Sequence, residues 1–296
     1  MKRPEDWTII KLLQRTASFF DSQGIDSPRL DAELLLAAAL GMTRIDLYLR
    51  HDQPLDPDEL DRFRDLVKRR KDREPVAYIL GAKAFWTLDL AVGPDVLIPR
   101  PETECLVESV LAFLKVRDDQ ASGYFLDLGT GSGAIALALA QSCPAARGVA
   151  VDRSLGALAL ADGNRRRHHL EDRVALLAGS WLECFSPVKA RFDAIVSNPP
   201  YIPSAQIDDL QPEIARYEPR PALDGGADGL DCIRHLVARA PAFLVPGGGL
   251  FLEIGHDQYP AVRQLASDRG VYAHVACRQD YSGQDRVACL IKQGGP

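Results

Sequence analysis

This chain has no apolar run long enough to cross a bilayer. The longest, such as Leu34 to Leu40, falls far short of the roughly 20 residues that a spanning helix needs. No secretory leader is expected either, because Met1-Lys2-Arg3-Pro4-Glu5-Asp6 runs into an amphipathic pattern with charges throughout. A cytoplasmic location is expected, with no membrane partner. Basic residues are not in excess: 35 Lys and Arg stand against 41 Asp and Glu, a formal net charge of −6. A general nucleic-acid binder usually carries a basic surface, so no stable nucleic-acid partner is expected, although a local basic face is compatible with this balance. The six cysteines, Cys105, Cys143, Cys184, Cys232, Cys277 and Cys289, form no C-x-x-C pair, and no histidine stands at metal-ligand spacing. They read as small apolar residues in a reducing compartment, and no metal site is expected. His168, His169, His235, His256 and His274 show no catalytic spacing, and no repeat or low-complexity stretch is evident.

What is present is material for two domains. A chain of 296 residues, 46% hydrophobic and 26% charged, suits one catalytic domain with a sizeable core plus an appendage. Residues 1–77 look helical. Trp7, Ile10, Leu13, Phe19 and Phe20 recur at helical spacing. Ser27-Pro28 starts a second helix, with Leu30, Leu34, Leu35 and Ala38 as its apolar face up to Gly41. Helices over Thr43–Leu49 and Pro57–Arg73 complete a small bundle. The stretch from Arg62 to Arg73 holds seven basic residues and reads chiefly as a solvated helix face supported by ion pairs, with partner docking as the other use. Residues 78–100 are expected to form a linker with a β-hairpin, from the alternation at Ala82–Trp86 and Leu88–Val92. Residues 101–296 alternate helix-like and strand-like segments. Helices are expected over Glu102–Leu114, Leu155–His168, Leu230–Leu244 and Gln258–Ser267. Strands are expected at Tyr124–Leu128, Gly148–Asp152, Val174–Leu177, Asp193–Ser197, Leu250–Ile254, Val271–Cys277 and Arg286–Ile291. The fold class is α/β, a mainly parallel sheet covered on both faces with an antiparallel edge.

Two motifs carry chemistry. After the apolar strand Tyr124–Leu128 comes Gly129-Thr130-Gly131-Ser132-Gly133 and then a helical run. Glycines at alternate positions let the backbone turn tightly and approach a ligand at a helix N-terminus. Asp152 ends the next strand on the order of 20 residues later, where an acid accepts hydrogen bonds from ribose hydroxyls in a nucleotide site. The loop alone is ambiguous, because Gly129, Gly131 and Ala134 also satisfy a dinucleotide pattern and leave a nicotinamide enzyme open. The second motif is Asn198-Pro199-Pro200-Tyr201, directly after the strand Phe192–Ser197. Two prolines stop a strand and lock the turn that follows. The elbow offers an amide, backbone carbonyls and an aromatic ring, which suit a planar NH2 group. Both motifs would lie at the carboxyl edge of a parallel sheet, where open α/β folds bind ligands. The pair resembles a class I, Rossmann-like S-adenosylmethionine-dependent methyltransferase with a seven-stranded sheet that acts on a planar nitrogen.

A narrower resemblance covers nearly the whole chain. Tyr78-Ile79-Leu80-Gly81, Phe85 and the block Val96-Leu97-Ile98-Pro99-Arg100-Pro101-Glu102-Thr103-Glu104 resemble the linker of the PrmC/HemK family, the release factor glutamine methyltransferases. Tyr217–Leu230 and Gly283–Arg286 are similar to the same family. The resemblance implies methylation of the N5 nitrogen of the glutamine in the Gly-Gly-Gln motif of class 1 peptide-chain release factors, with S-adenosylmethionine as donor and S-adenosylhomocysteine as product. It implies a cofactor site at Gly129, Thr130, Gly131, Ser132 and Gly133, with Asp152 on the ribose, Trp181 beside the adenine and Asn198 touching both ligands. Asn198, Pro199, Pro200 and Tyr201 would hold the substrate glutamine, and the N-terminal domain would dock the release factor. Ser180 stands where many members carry Asp, so a hydrogen bond from that position to the adenine amine is not implied. Arg100 and Glu102 are read as an ion pair in the linker, and a monomer is expected.

In mechanistic terms an amide nitrogen is a poor nucleophile, while a sulfonium methyl is already activated, so the task is alignment and exclusion of water. The Asn198 side-chain oxygen and the Pro199 carbonyl are the expected acceptors for the two amide hydrogens, with Tyr201 against the amide plane and no side chain as a strong general base. The alternative acceptor is the exocyclic amino group of a nucleic-acid base, which would need a basic groove or a target-reading domain.

Overall fold

The computed structural model of the protein describes residues 7–117, 123–188 and 191–294; the opening Met1–Asp6 lies outside them. In chain order the elements are α1 (Ile9–Ser22), α2 (Pro28–Leu40), α3 (Arg44–Leu49), α4 (Pro57–Lys71) and α5 (Val76–Leu80), then the strands β1 (Ala82–Phe85) and β2 (Leu88–Ala91). There follow α6 (Glu104–Arg117), β3 (Tyr124–Leu128), α7 (Ala134–Ser142), β4 (Arg147–Asp152), α8 (Leu155–Arg167), β5 (Val174–Ala178) and β6 (Phe192–Ser197). The chain closes with α9 (Pro212–Tyr217), α10 (Asp231–Arg239), β7 (Leu244–Glu253), α11 (Tyr259–Arg269), β8 (Tyr272–Gln279) and β9 (Asp285–Lys292). Contacts divide it into two compact units, one reaching to Gly81 and including Gln211–Tyr217, the other made of Ala82–Leu210 and the chain from Glu218 onward. The boundary expected after residue 77 lies inside α5.

The helical unit is built by local signals and closed by buried charge. Along α1 the buried residues Ile9, Leu12, Leu13, Thr16 and Phe20 fall on one stripe. Two capping boxes start later helices. Thr43 Oγ1 accepts from Asp46 N while Asp46 accepts from Thr43 N, and Asp56 and Glu59 exchange the same pair of bonds ahead of Pro57. The face that α2 buries is the expected one only in part: Leu35 is inside and Leu34 half-buried, but Leu30 and Ala38 are exposed, and Ala32, Leu36 and Ala39 are inside instead. With apolar residues all round the helix, periodicity does not choose a face. The choice is made by Asp31 and Glu33, which are buried because cations meet them. Glu33 accepts from Arg29 at 2.7 Å, from Arg44 at 2.6 Å and from the Tyr48 hydroxyl, and Asp31 pairs with Arg70 at 2.7 Å. The basic stretch from Arg62 to Arg73 is therefore divided. Arg64 pairs with Asp61 and Arg69 with Glu74 near the surface, while Arg70 and Arg73 both reach Glu213 of α9, each at 2.8 Å.

The larger unit holds the hairpin β1–β2 and a seven-stranded sheet in the order β5-β4-β3-β6-β7-β9-β8. Pairing is parallel from β5 to β7, and β9 is antiparallel to both neighbours. This is the expected Rossmann-like class. Side chains alternate across it. Phe125, Val196 and Phe251 enter the core under α6 and α7, whereas Leu126, Leu128, Ile195 and Leu250 enter the core under α10 and α11. The helix expected over Leu230–Leu244 and the strand expected over Leu250–Ile254 both differ in extent. The helix read over Leu230–Leu244 ends at Arg239, a 3₁₀ turn at Ala240–Ala242 follows, and β7 already begins at Leu244. Pro241 has no N–H with which to continue the helix. The pairing of β7 with β6 then skips from Leu244 to Gly249 through a bulge in which Gly247 has φ +71°.

Candidate active site

β3 and β6 lie side by side, and the chain turns off each at its carboxyl end: β3 into the glycine loop, β6 into the Asn-Pro-Pro-Tyr elbow. From β3 the chain proceeds outward to β4 and β5, and from β6 the other way to β7, so the two loops flank the switch point of the sheet. There a cavity of about 880 Å³ opens, within the range of small-molecule sites.

The loop's shape comes from its glycines and from two aspartates. Gly129 and Gly131 sit at φ +73° and +57°, a region in which a side chain is strained. Gly129 N and Thr130 N both donate to Val151 O, at 2.9 and 3.0 Å, which ties the turn to β4. Asp152, at the end of β4, accepts from Gly131 N and Ser154 N with its two oxygens, both at 2.9 Å. Each oxygen keeps acceptor capacity for a further donor. Asp127 is the site residue that the sequence reading passed over within an apolar strand. Fully buried, its Oδ2 accepts from Thr130 Oγ1 at 2.6 Å and Ala136 N at 3.2 Å, while Oδ1 has no hydrogen-bond partner among the described residues. Burial pushes its carboxyl up to about 7, against the pull of those two bonds. The signal that would have found it is one carboxylate in the otherwise apolar Tyr-Phe-Leu-Asp-Leu strand.

The elbow is braced from several sides. Ser197 Oγ donates to Leu128 O at 2.6 Å, joining the ends of β6 and β3. Ile202 forms a parallel bridge with Asp224, and Ser204 Oγ donates to Asp224 at 2.5 Å, so the Leu223–Gly226 segment straps the turn. Asn198 is half-buried and its Nδ2 donates to Thr103 Oγ1 at 3.2 Å. Tyr201 packs against the core under α10 and α11 and donates from its hydroxyl to Glu253 Oε1 at 3.2 Å. Burial, chiefly, raises the phenol above its ordinary range.

Of the residues expected at the site, Gly129, Thr130, Gly131, Ser132, Asp152, Trp181, Asn198 and Pro200 line the one cavity. Gly133 heads α7, Pro199 is buried, and Tyr201 faces Glu253; none of these three is in the cavity wall. Trp181 holds a left-handed backbone at φ +46°, a strain of roughly 1–2 kcal/mol, and its ring stands 3.6 Å from where a Cβ on Gly129 would be. Ser180 lines the wall beside it, as do Val96, Leu97, Pro99 and Thr103 of the linker block. The ion pair read between Arg100 and Glu102 is corrected: Glu102 is exposed, and Arg100 pairs at 2.6 Å with Glu218, whose side chain is buried. The 3₁₀ turn begun by Pro101 carries Glu102 outward, and a buried carboxylate needs the cation more. Among the described residues no cluster of His, Cys, Asp and Glu is suited to a metal, and no helix is long and apolar enough to cross a membrane.

Comparison with known proteins agrees with this architecture. Residues 11–81 match the model of the PrmC N-terminal domain, and residues 108–214 match that of the methyltransferase small domain. The release factor glutamine methyltransferase of Geobacter sulfurreducens is 48% identical over 97% of this chain and 97% of its own length. That of Pseudomonas aeruginosa is 48% identical over 90% and 94%. The crystal structure of a methyltransferase from Pyrococcus furiosus superposes with a TM-score of 0.51 at 20% identity, covering 72% of this chain and 92% of that one, a likeness of fold. With such identity along almost its whole length, the chain belongs to the release factor glutamine methyltransferase family.

Proposed function

We propose that this protein transfers a methyl group from S-adenosylmethionine to the N5 amide nitrogen of the glutamine in the Gly-Gly-Gln motif of class 1 release factors, in the cytoplasm and as a monomer. The observation that carries the reading is the adjacency of the two motifs: a nucleotide-type glycine loop and an amide-bearing elbow leave neighbouring strands and border one cavity. The residues present fit the donor. Asp152 has spare acceptor sites for ribose hydroxyls, the loop glycines carry no side chain into the cavity, and the Trp181 ring is available to an adenine. When bound, the donor supplies an activated methyl on a sulfonium.

The chain's own residues supply the rest. Asn198 Oδ1 and the Pro199 carbonyl accept the two hydrogens of the substrate amide, which holds the nitrogen in line and stabilises the positive charge that develops on it. Pro199 and Pro200 keep this turn rigid, so little reorganisation is needed at the moment of transfer. Tyr201 holds the elbow through Glu253. No general base is required, since the product's proton is acidic and leaves afterwards. The helical unit is assigned to docking the release factor. In its support, a groove of about 410 Å³ between α1 and α4 has an apolar floor, including Leu12 and Phe63, and is edged by Arg15, Arg64, Lys68 and Lys71. The competing acceptor, a base amino group, has no comparable support among the close relatives.

Purified protein incubated with a release factor and S-adenosylmethionine is expected to add a single methyl to the Gly-Gly-Gln peptide, read by mass spectrometry. Asn198→Ala should slow this by at least about 100-fold, as loss of a transition-state hydrogen-bonding group does. Methylation of RNA or DNA with the release factor left unmodified would overturn the reading.

A further inference from the structure

The Asn198 amide has two chemically opposite ends, and the function proposed above needs the oxygen, not the NH2, to meet the substrate. Which end faces where is set by the amide's partners. Nδ2 donates to Thr103 Oγ1 at 3.2 Å, and Thr103, itself buried, also lines the cavity. A hydroxyl has one hydrogen to give, and here its oxygen is already accepting. Behind Thr103 stands Glu253, near the end of β7. Its Oε1 accepts from the Tyr201 hydroxyl, and its Oε2 is buried with no partner of hydrogen-bonding geometry among the described residues. Burial raises this carboxyl, and the groups opposing that are the Thr103 hydroxyl, the Arg286 cation and the Tyr201 hydroxyl, while the charge of Glu102 adds to the rise. Arg286 is itself held by Asp280 at 3.1 Å.

We propose that Thr103 is a positioning residue that sets the orientation of the Asn198 amide, with the Glu253 carboxylate fixing the polarity of the Thr103 hydroxyl. An ionised carboxylate only accepts. The Thr103 hydrogen therefore turns to Glu253, the Thr103 lone pairs turn to Asn198 Nδ2, and Asn198 Oδ1 is left for the cavity. Protonation of Glu253 removes that constraint, allows Thr103 to donate to Asn198 instead, and turns a donor toward a substrate group that also donates. The inference rests on the amide-methylating reading of the site.

The test uses the full chain with S-adenosylmethionine and a release factor. Thr103→Val should lower kcat about tenfold to a hundredfold with cofactor affinity by calorimetry within about twofold of wild type, and Thr103→Ser should restore it. Glu253→Gln should lower the rate at neutral pH toward that of acidified wild type and lose the decline that wild type shows on acidification, because a carboxamide can donate as a protonated carboxyl does and does not titrate in that range. Independently of turnover, the side-chain amide signal of Asn198 in 15N NMR should move in Thr103→Val and return in Thr103→Ser. Thr103→Val with wild-type kcat, an Asn198 signal indifferent to Thr103, or wild-type neutral activity in Glu253→Gln would each overturn the relay. A wild type that binds the donor yet leaves the release factor unmodified would refute the proposed function instead, and the amide signal would still decide the relay.

Discussion

Replacing Arg70 by methionine should unfold the helical unit at a markedly lower temperature. The Arg70 side chain is 7% exposed and donates to Asp31 at 2.7 Å, to Glu213 at 2.8 Å and to the Glu74 carbonyl at 3.3 Å. Burial raises the Asp31 carboxyl more than Arg70 lowers it. For Glu213 burial pushes upward too, but bonds from Arg73, its own backbone and Arg70 outweigh it and hold it below its usual range. Without Arg70, Asp31 loses its ion-pair partner while Glu213 keeps Arg73, and breaking a buried pair in this way costs about 3–5 kcal/mol. A domain of this size has only roughly 5–15 kcal/mol of stability, and each kcal/mol moves its midpoint by about 4–8 °C, so a fall on the order of 12 °C or more is expected. Thermal unfolding measures it, and hydrogen exchange should show α4 and Pro212–Tyr217 opening together. The variant's deficit should shrink as pH falls. In it the folded Asp31 carboxyl sits above its unfolded value, so its contribution favours folding at low pH and is lost as pH rises through the folded pKa. Arg70→Met combined with Asp31→Asn should recover much of the loss, since Glu213 keeps Arg73 and no buried carboxylate is then stranded. A midpoint for Arg70→Met within about 2 °C of wild type, or a double variant with Asp31→Asn no more stable than the single one, would refute the account of this cluster.

Asp127, with a folded pKa of about 7 from burial, should make stability in the absence of cofactor fall as pH rises from about 4 to about 7, by on the order of 4 kcal/mol; urea midpoints across that window should lose most of this slope in Asp127→Asn, and equal slopes would count against the assignment. Gly148→Val should destabilise the sheet by about 3 kcal/mol or more, because a Cβ there would run into the Phe125 ring; a well-folded variant with unchanged midpoint would mean that the ring moves aside freely. Arg100→Ala strands the buried Glu218 and should cost about 3 kcal/mol, with Glu218→Gln suppressing much of the loss in the double variant; additive losses in denaturant titrations would argue against the pairing.

What was legible in the sequence was what a short stretch of chain decides by itself. The Pro28 and Pro57 helix starts, the Thr43 cap region, the hairpin, the strand before the glycine loop and the elbow after Phe192–Ser197 all follow from local sterics and from periods of two or 3.6 residues. Strand alternation with helices was enough for the fold class. The parts left to the tertiary structure join residues that no local rule connects. Arg70 meets Glu213 across 143 positions, Arg100 meets Glu218 across 118, Asn198 meets Thr103 across 95, and Tyr201 meets Glu253 across 52. Each involves a charge or amide that is tolerable inside only with its partner, so its burial could not be read from its own neighbourhood. The same holds for α2, whose apolar residues ring the helix and whose inward face was chosen by where Asp31 and Glu33 found cations. Local sequence determined which segments would be loop, elbow and strand; packing decided which side chains those segments would hold still, because hydrogen-bond partners for buried polar groups are a property of the assembled core.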